Sequence, residues 1–198
     1  TDEIKRRMLL LGQTGQYDIV LTELGGTVGD IESLPYVESV RQLRWELGRE
    51  HSLVIHLTLV PYLNAAKELK TKPTQHSVKE LLSLGVQPDI LACRTEHPLN
   101  IEMRRKMAQF CNVETASVIE MIDAETIYDV PLLLLKERLD AVVISKLHLR
   151  DTKEPNLSSW KNFLGKLKNP LHEIKVGLIG KYNELPDAYK SIYEAFVH

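Results

Sequence analysis

A glycine-rich acidic turn at residues 23–32 is the part of the sequence best suited to chemistry. It reads Glu-Leu-Gly-Gly-Thr-Val-Gly-Asp-Ile-Glu and follows an apolar run that ends near Glu23. Glycine permits positive φ and lets backbone N–H groups approach a ligand closely. A carboxylate at the end of a buried strand can hold Mg²⁺ beside nucleotide phosphates. The turn therefore predicts a magnesium–nucleotide site; a tight strand-to-helix turn with solvated acids is the alternative.

A basic segment at residues 70–76 is the second candidate. It reads Lys-Thr-Lys-Pro-Thr-Gln-His and precedes a helix predicted to start near Ser77. Helix N-termini attract anions, and lysine is a suitable point charge for phosphate. Pro73 is expected to keep the two preceding residues extended and so to fix where the lysines point. The segment predicts a phosphate site, with a solvated capping loop as the alternative.

Composition excludes several classes of function. The chain has 198 residues, of which 43% are hydrophobic and 26% charged, and its formal net charge is −2. Such a charge gives no bulk attraction to nucleic acid or to a membrane surface, and no apolar run is long enough to span a bilayer. The two cysteines, Cys93 and Cys111, are typical of free thiols in a reducing cytoplasm. The histidines show no zinc-site spacing.

Predicted strands alternate with predicted helices along most of the chain. Apolar runs indicate strands at residues 17–24, 53–60, 89–93 and 117–122, and helical periodicity marks residues 36–49, 77–84, 101–110 and 130–147. This alternation predicts an α/β domain with a mostly parallel sheet. Glu23, Arg94 and Asp123 fall at or just past strand ends, where such sheets bind ligands.

The amino-acid composition of the sequence changes after residue 149. Charged residues, asparagine and proline dominate residues 150–173, which suggests a linker with a short amphipathic helix around Trp160. A strand is predicted at residues 174–182 and a helix at 188–197. One strand and one helix cannot bury a core, so residues 174–198 are expected to open a second domain.

Four long segments of this chain resemble the cytidine triphosphate (CTP) synthase family. They are residues 23–35 (ELGGTVGDIESLP), 56–80 (HLTLVPYLNAAKELKTKPTQHSVKE), 88–94 (PDILACR) and 127–134 (IYDVPLLL). The resemblance implies a Rossmann-like amidoligase domain of the P-loop type, followed by a glutamine amidotransferase domain. It also implies the chemistry: ATP phosphorylates O4 of UTP, and ammonia from glutamine displaces the phosphate to give CTP.

The resemblance also implies roles for individual residues. Glu23 matches the family's Mg²⁺-binding glutamate, with Mg²⁺ acting together with ATP. Residues that match the site for the feedback inhibitor CTP are Asp30, Ile31 and Glu32. The loop shared by UTP and CTP corresponds to Lys70, Thr71, Lys72, Pro73, Thr74 and Gln75.

Two further matches lie on later elements. Lys106 matches a lysine that contacts the pyrimidine nucleotide, although its setting beside Arg104 and Arg105 suggests only a solvated helix face. The residues that fall where the family contacts ATP are Ile122, Asp123 and Ala124. No catalytic residue is assigned, because the family's phosphate-loop lysine and glutaminase triad have no counterpart in these residues.

The resemblance carries further expectations about the chain and its partners. The family's phosphate loop and second Mg²⁺-binding aspartate are expected upstream of Thr1, and the glutaminase nucleophile downstream of His198. Residues 1–149 would then be an amidoligase domain lacking its N-terminal part, inactive alone. Homotetramers and filaments are expected, with no nucleic acid and no membrane. Two alternatives remain: an amidoligase of the cobyrinate or dethiobiotin synthetase kind, and a non-catalytic nucleotide-binding or assembly module.

Overall fold

Three parallel strands form the central sheet of the computed structural model, which describes residues 1–150 and 152–197. The strands of the chain are β1 (Ile55–Leu59), β2 (Tyr62–Leu63), β3 (Glu68–Leu69), β4 (Ile90–Thr95) and β5 (Val118–Ile122). The central sheet has the order β1-β4-β5, with Leu57 opposite Ala92 and Ala92 opposite Ile119. The pair β2–β3 is a separate antiparallel hairpin. The predicted α/β class with a parallel sheet is confirmed.

Eight helices accompany these strands in the described residues. They are α1 (Asp2–Leu9), α2 (Leu34–Leu47), α3 (Lys72–Ser83), α4 (Ile101–Cys111), α5 (Val130–Lys136), α6 (Leu139–Lys146), α7 (Ser158–Lys168) and α8 (Lys190–Val197). The long helix predicted at 130–147 is split in two at Arg138, which has a φ of 58°. None of the described helices is long and apolar enough to cross a bilayer.

The main core lies between the sheet and helices α3 and α4. Its fully buried side chains include Val60, Leu91, Cys93, Met107 and Val118. Leu91, Cys93 and Val118 share one face of the sheet, because successive side chains of a strand point to opposite faces, and Met107 packs on that face from α4. A second, smaller cluster joins α2 to the C-terminal part of α3 through Val37, Leu81 and Val86.

The two predicted strands at residues 17–24 and 174–182 do not form. Both segments are irregular, and most of their apolar side chains are exposed, with Leu21 at 89% and Ile179 at 97%. A strand is stable only when a neighbour accepts and donates its backbone hydrogen bonds, and an apolar run alone does not supply that neighbour. No described strand pairs with either segment.

The chain divides into two compact units between Lys153 and Glu154. The first contains the sheet and α1 to α6, and the second contains α7 and α8. The helices predicted around Trp160 and at 188–197 are present as α7 and α8. Asp151, within the predicted linker, and His198, within the predicted second domain, lie outside the described residues.

Candidate functional site

The basic segment at residues 70–76 leads into α3 and forms its first turn from Lys72 onward. Thr71 takes helical dihedrals (φ −86°, ψ −11°), and Lys72 and Pro73 are the first two helical residues. The predicted extended backbone before Pro73, and the predicted helix start near Ser77, are therefore wrong. Proline suits this turn because the N–H that it lacks would have no partner inside the helix. The helix N-terminus, with its attraction for anions, thus lies at the lysines themselves.

Two threonines fasten this first turn to the fold. The Thr74 hydroxyl donates to the carbonyl of Leu59 at 3.1 Å and accepts from the Thr58 hydroxyl at 3.2 Å. Gln75 Nε2 donates to the hydroxyl of Thr71 at 3.1 Å. Thr71 and Thr74 are buried. These contacts fix the N-terminus of α3 at the carboxyl end of β1, where ligands bind in parallel sheets.

A cavity of about 750 Å³ opens beside this turn. Predicted site residues that line it are Lys70, Thr71, Lys72 and Lys106, so the structure brings two separate segments together. Its other lining residues are Tyr62, Lys67, Glu68, Leu69, His97, Pro98, Asn100 and Met103. A cavity of this size lies within the range of small-molecule sites. We call it the lysine cavity.

The lysine cavity carries an excess of positive charge. Four lysines line it against the single carboxylate of Glu68. Lys70 Nζ lies 2.5 Å from that carboxylate. The other three, Lys67, Lys72 and Lys106, form no ion pair with any described residue. Three unneutralised ammonium groups near a helix N-terminus attract an anion with several charges. The default assignment of Lys106 to a plain solvated face is therefore not supported.

An ion cluster behind the cavity positions α4 and the loop before it. Glu120 of β5 accepts the backbone N–H of Leu99 at 2.6 Å and lies 3.2 Å from Arg104. Arg104 also donates to the carbonyl of Val118 at 3.0 Å and pairs with Glu137, which directly follows α5. The side chain of Arg104 is only 20% exposed, although it lies two positions before Lys106 on the same helix. The partners come from distant parts of the chain, so no local pattern could reveal them.

Opposing effects act on the pKa of Glu137. Burial alone would raise it, but hydrogen bonds from Arg104 and from the backbone N–H of Glu120 outweigh burial and lower it. The same pairing with Glu137 raises the pKa of Arg104. Arg104 and Glu137 are therefore both ionised at neutral pH, and their pairing helps to hold α4 in place.

The predicted ATP-contact segment follows β5 at the same edge of the sheet. The N–H of Asp123 donates to the carbonyl of Thr95 at 3.0 Å. Its carboxylate lies 3.3 Å from Nε of Arg94, and both side chains are more than half exposed. Ile122, Asp123 and Ala124 do not line the lysine cavity. Their assignment to ATP stays a prediction.

The glycine-rich turn takes the backbone conformation that its glycines permit. Gly26 and Gly29 have φ values of 87° and 100°. The N–H of Thr27 donates to the carboxylate of Asp30 at 3.3 Å, and the Ser33 hydroxyl donates to the Asp30 carbonyl at 2.8 Å. Val28 packs on the α2–α3 cluster. The turn is thus built against the flank of α3.

The turn does not join the lysine cavity. Asp30, Ile31 and Glu32 are exposed and are not among the cavity residues. Glu23 is exposed in an irregular segment, so its predicted place at a strand end is wrong. Within the described residues, no group of three or more His, Cys, Asp or Glu side chains could hold a metal ion. The roles of these four residues stay predictions.

The sequence did not predict the aromatic side chains that line the cavity. Tyr62 and His97 lie there with Asn100, whose Oδ1 caps α4 by accepting the N–H of Met103 at 2.8 Å. His97 follows the carboxyl end of β4, and that position was an available signal. Tyr62 lies on the β2–β3 hairpin, which no pattern in the sequence predicted.

The chain is similar to known proteins along its whole length. The family described as "CTP synthase N-terminus" matches residues 1–149. Over all 198 residues, the chain is 71% identical to a CTP synthase of Cytophaga hutchinsonii and 64% identical to one of Christiangramia forsetii. It is 58% identical to a CTP synthase of Chlorobaculum tepidum. The chain spans 35–37% of the length of these three curated relatives.

Proposed function

The chain belongs to the CTP synthase family, matching its N-terminal domain, and on that premise we propose that it supplies the pyrimidine-nucleotide pocket of an enzyme that aminates UTP to CTP. The reaction uses ATP and glutamine-derived ammonia. One observation carries the proposal. The lysine cavity combines Lys70, Lys72 and Lys106, from two separate segments, with the N-terminus of α3. That is the chemistry that a triphosphate requires.

The lysines have two tasks in this proposal. They bind the triphosphate, which UTP and CTP share, so one subsite serves substrate and inhibitor alike. They also offset the negative charge that spreads over the transferred phosphoryl group. Lys72 and Lys106, which are unpaired within the described residues, bind the phosphates directly. Lys70 must first exchange the carboxylate of Glu68 for a phosphate.

The other proposed contacts lie outside the cavity. The cytidine of CTP is recognised by Asp30, Ile31 and Glu32, and ATP is contacted by Ile122, Asp123 and Ala124.

The proposal also includes a second, glutaminase domain beginning at residues 174–198, after a linker at 150–173. It further includes assembly into homotetramers and filaments, and a cytoplasmic location.

Magnesium is proposed to bind with ATP at Glu23. Mg²⁺ is commonly held by one or two carboxylates together with substrate phosphates, so a single exposed glutamate suits a shared site. When bound, Mg²⁺ neutralises phosphate charge. The part of Glu23 is to offer one carboxylate oxygen to that ion.

Nucleotide binding to this chain tests the proposal. Binding is the suitable readout, because the 198 residues contain no G-x-x-x-x-G-K-[ST] loop for ATP phosphates. Isothermal titration calorimetry with UTP and with CTP is carried out on the unaltered chain, on Lys72→Ala and on Lys79→Ala. Lys79 is an exposed lysine of the same helix outside the cavity, which makes it a matched control.

Removal of one phosphate-binding lysine is expected to weaken both nucleotides about 10- to 100-fold, since charge-assisted hydrogen bonds are worth about 1.5–3 kcal/mol. The Lys79→Ala variant should bind like the unaltered chain. Equal affinities for the two variants would contradict the placement of the triphosphate. UTP and CTP binding that survives Lys72→Ala and Lys106→Ala unchanged would leave a scaffolding role.

A further inference from the structure

We propose that the ring pair of Tyr62 and His97 forms the base-binding wall of the lysine cavity, and that His97 positions the uracil of UTP. This inference rests on the proposed function, since it takes the ligand to be a pyrimidine nucleoside triphosphate. It adds a subsite for the base to the phosphate subsite of the lysines.

The two rings are in direct contact. Their centroids are 4.0 Å apart and their planes meet at 56°. Tilted aromatic pairs at such distances attract each other, because the positive edge of one ring faces the negative face of the other. Tyr62 is half-buried, whereas His97 is exposed. The tyrosine therefore serves as backing, and the imidazole offers its remaining surface to the cavity.

Backbone contacts fix each ring separately. Tyr62 pairs with Leu69 in the β2–β3 hairpin, and the N–H of Lys70 donates to the carbonyl of Pro61 at 2.9 Å. On the other side, the buried hydroxyl of Thr95 donates to the carbonyl of His97 at 2.8 Å and accepts its N–H at 3.3 Å. A ring held in place before the ligand arrives loses little conformational entropy on binding.

The hairpin also connects the rings to the phosphate subsite. Lys70 directly follows β3, and Lys72 begins α3 two residues later. Of the residues that line the cavity, Tyr62 and His97 are the aromatic ones and four are lysines. Cations attract phosphates, whereas the flat apolar face of a base prefers an aromatic surface. The lining thus separates into a phosphate side and a base side, as a nucleotide requires.

A comparison of UTP with inorganic tripolyphosphate tests the base subsite. Tripolyphosphate carries the phosphate chain without base or ribose. Both ligands are titrated into the unaltered chain, His97→Ala, His97→Phe and the control His51→Ala by calorimetry. His51 is an exposed histidine that lies outside the basic segment and does not line the cavity. Tripolyphosphate binding also reports whether each variant retains an intact cavity.

Loss of the imidazole is expected to weaken UTP about 5- to 150-fold, which is the range for losing one base–aromatic stack. Tripolyphosphate affinity should change less than about twofold. The phenylalanine variant should restore most of the UTP affinity, because it keeps a ring over Tyr62. The His51→Ala variant should match the unaltered chain for both ligands.

Three results would overturn the inference. His97→Ala could leave UTP affinity equal to that of His51→Ala, it could weaken tripolyphosphate as much as UTP, or His97→Phe could fail to restore binding. Lys72→Ala separates this inference from the proposed function, since it should weaken both ligands. If the unaltered chain binds neither UTP nor tripolyphosphate, the proposed function fails and the base subsite fails with it.

Discussion

Replacement of Arg104 by methionine tests whether the ion cluster behind the lysine cavity stabilises the domain. The side chain of Arg104 is 20% exposed, and those of Glu120 and Glu137 are 15% and 16% exposed. Methionine keeps an unbranched apolar stem but removes the charge and every guanidinium hydrogen bond. Two carboxylates that are mostly buried then lose the cation that they share, and the carbonyl of Val118 loses a donor.

The burial of the cluster sets the size of the effect. Removing one partner of a buried ion pair costs about 3–5 kcal/mol, because the other charge is left uncompensated. Residual exposure of 15–20% lets water reach part of the cluster, so the lower end applies, about 3 kcal/mol. For a chain of this length, that loss lowers Tm by about 6–12 °C.

The pH dependence of this loss has a definite sign. A carboxylate with a lowered pKa, such as Glu137, stabilises the fold above its unfolded pKa, near 4.5, and that stabilisation is lost as pH falls through the folded value. In Arg104→Met, burial dominates and raises the pKa of Glu137. Protonation of Glu137 then removes a buried unpaired charge and stabilises the variant. The difference in unfolding free energy between the unaltered chain and Arg104→Met should therefore be largest at pH 7 and become smaller below about pH 4.5.

Urea unfolding followed by far-UV circular dichroism at pH 7 and pH 4 measures these differences. The control is Arg6→Met, because Arg6 pairs with Glu3 on the surface of α1 with 55% and 63% exposure. Its loss of stability should be far smaller than that of Arg104→Met, because water screens an exposed ion pair. Arg104→Met combined with Glu137→Gln should be more stable than Arg104→Met alone, since it removes a buried unpaired charge. A loss for Arg104→Met no larger than that of the control, or a double variant below the single one, would refute the reasoning.

Three further predictions concern the fold around the site. Thr74→Val keeps the volume but leaves the carbonyl at the end of β1 without its donor, so unfolding free energy should fall by about 1–3 kcal/mol in urea titrations; an unchanged value would contradict this. Burial raises the pKa of Cys93 to about 12 and that of Cys111 to about 11. Neither thiol should therefore react with Ellman's reagent at pH 8 before the chain unfolds. Rapid reaction of the folded chain would contradict this. Gly85→Ala, at a φ of 82°, should lower Tm through about 1–2 kcal/mol of strain, whereas the mid-helix control Gly165→Ala should not; equal melting of the two variants would count against this.

Sequence alone predicted the parts of the fold that depend on local patterns. Strands β1, β4 and β5 are short apolar runs, and α2 and α4 carry a regular apolar face, so their positions agree with prediction to within a few residues. The strand predicted at 17–24 has the same local pattern but finds no partner among the described strands. Pairing is a property of the whole chain, so periodicity could not decide it.

The site was predictable where its chemistry is local. Lys70, Thr71 and Lys72 stood out by residue type and by their place before a helix, and the structure puts them on one cavity. Lys106 was assigned only through the resemblance, because its neighbours on α4 suggest a solvated face. The cluster of Arg104 could not be foreseen, since Glu137 lies 33 residues away. Tyr62 and His97 meet across a hairpin and a strand end, so only the folded chain shows their contact.

A crystal structure of this chain with UTP would test the central claim most directly. The account predicts electron density for the triphosphate in the lysine cavity, with phosphate oxygens about 2.7–2.9 Å from Nζ of Lys72 and of Lys106. A smaller cavity of about 300 Å³, lined in part by Arg49, Lys146 and His148, offers a second basic surface for comparison. Triphosphate density there, with the lysine cavity empty, would contradict the account.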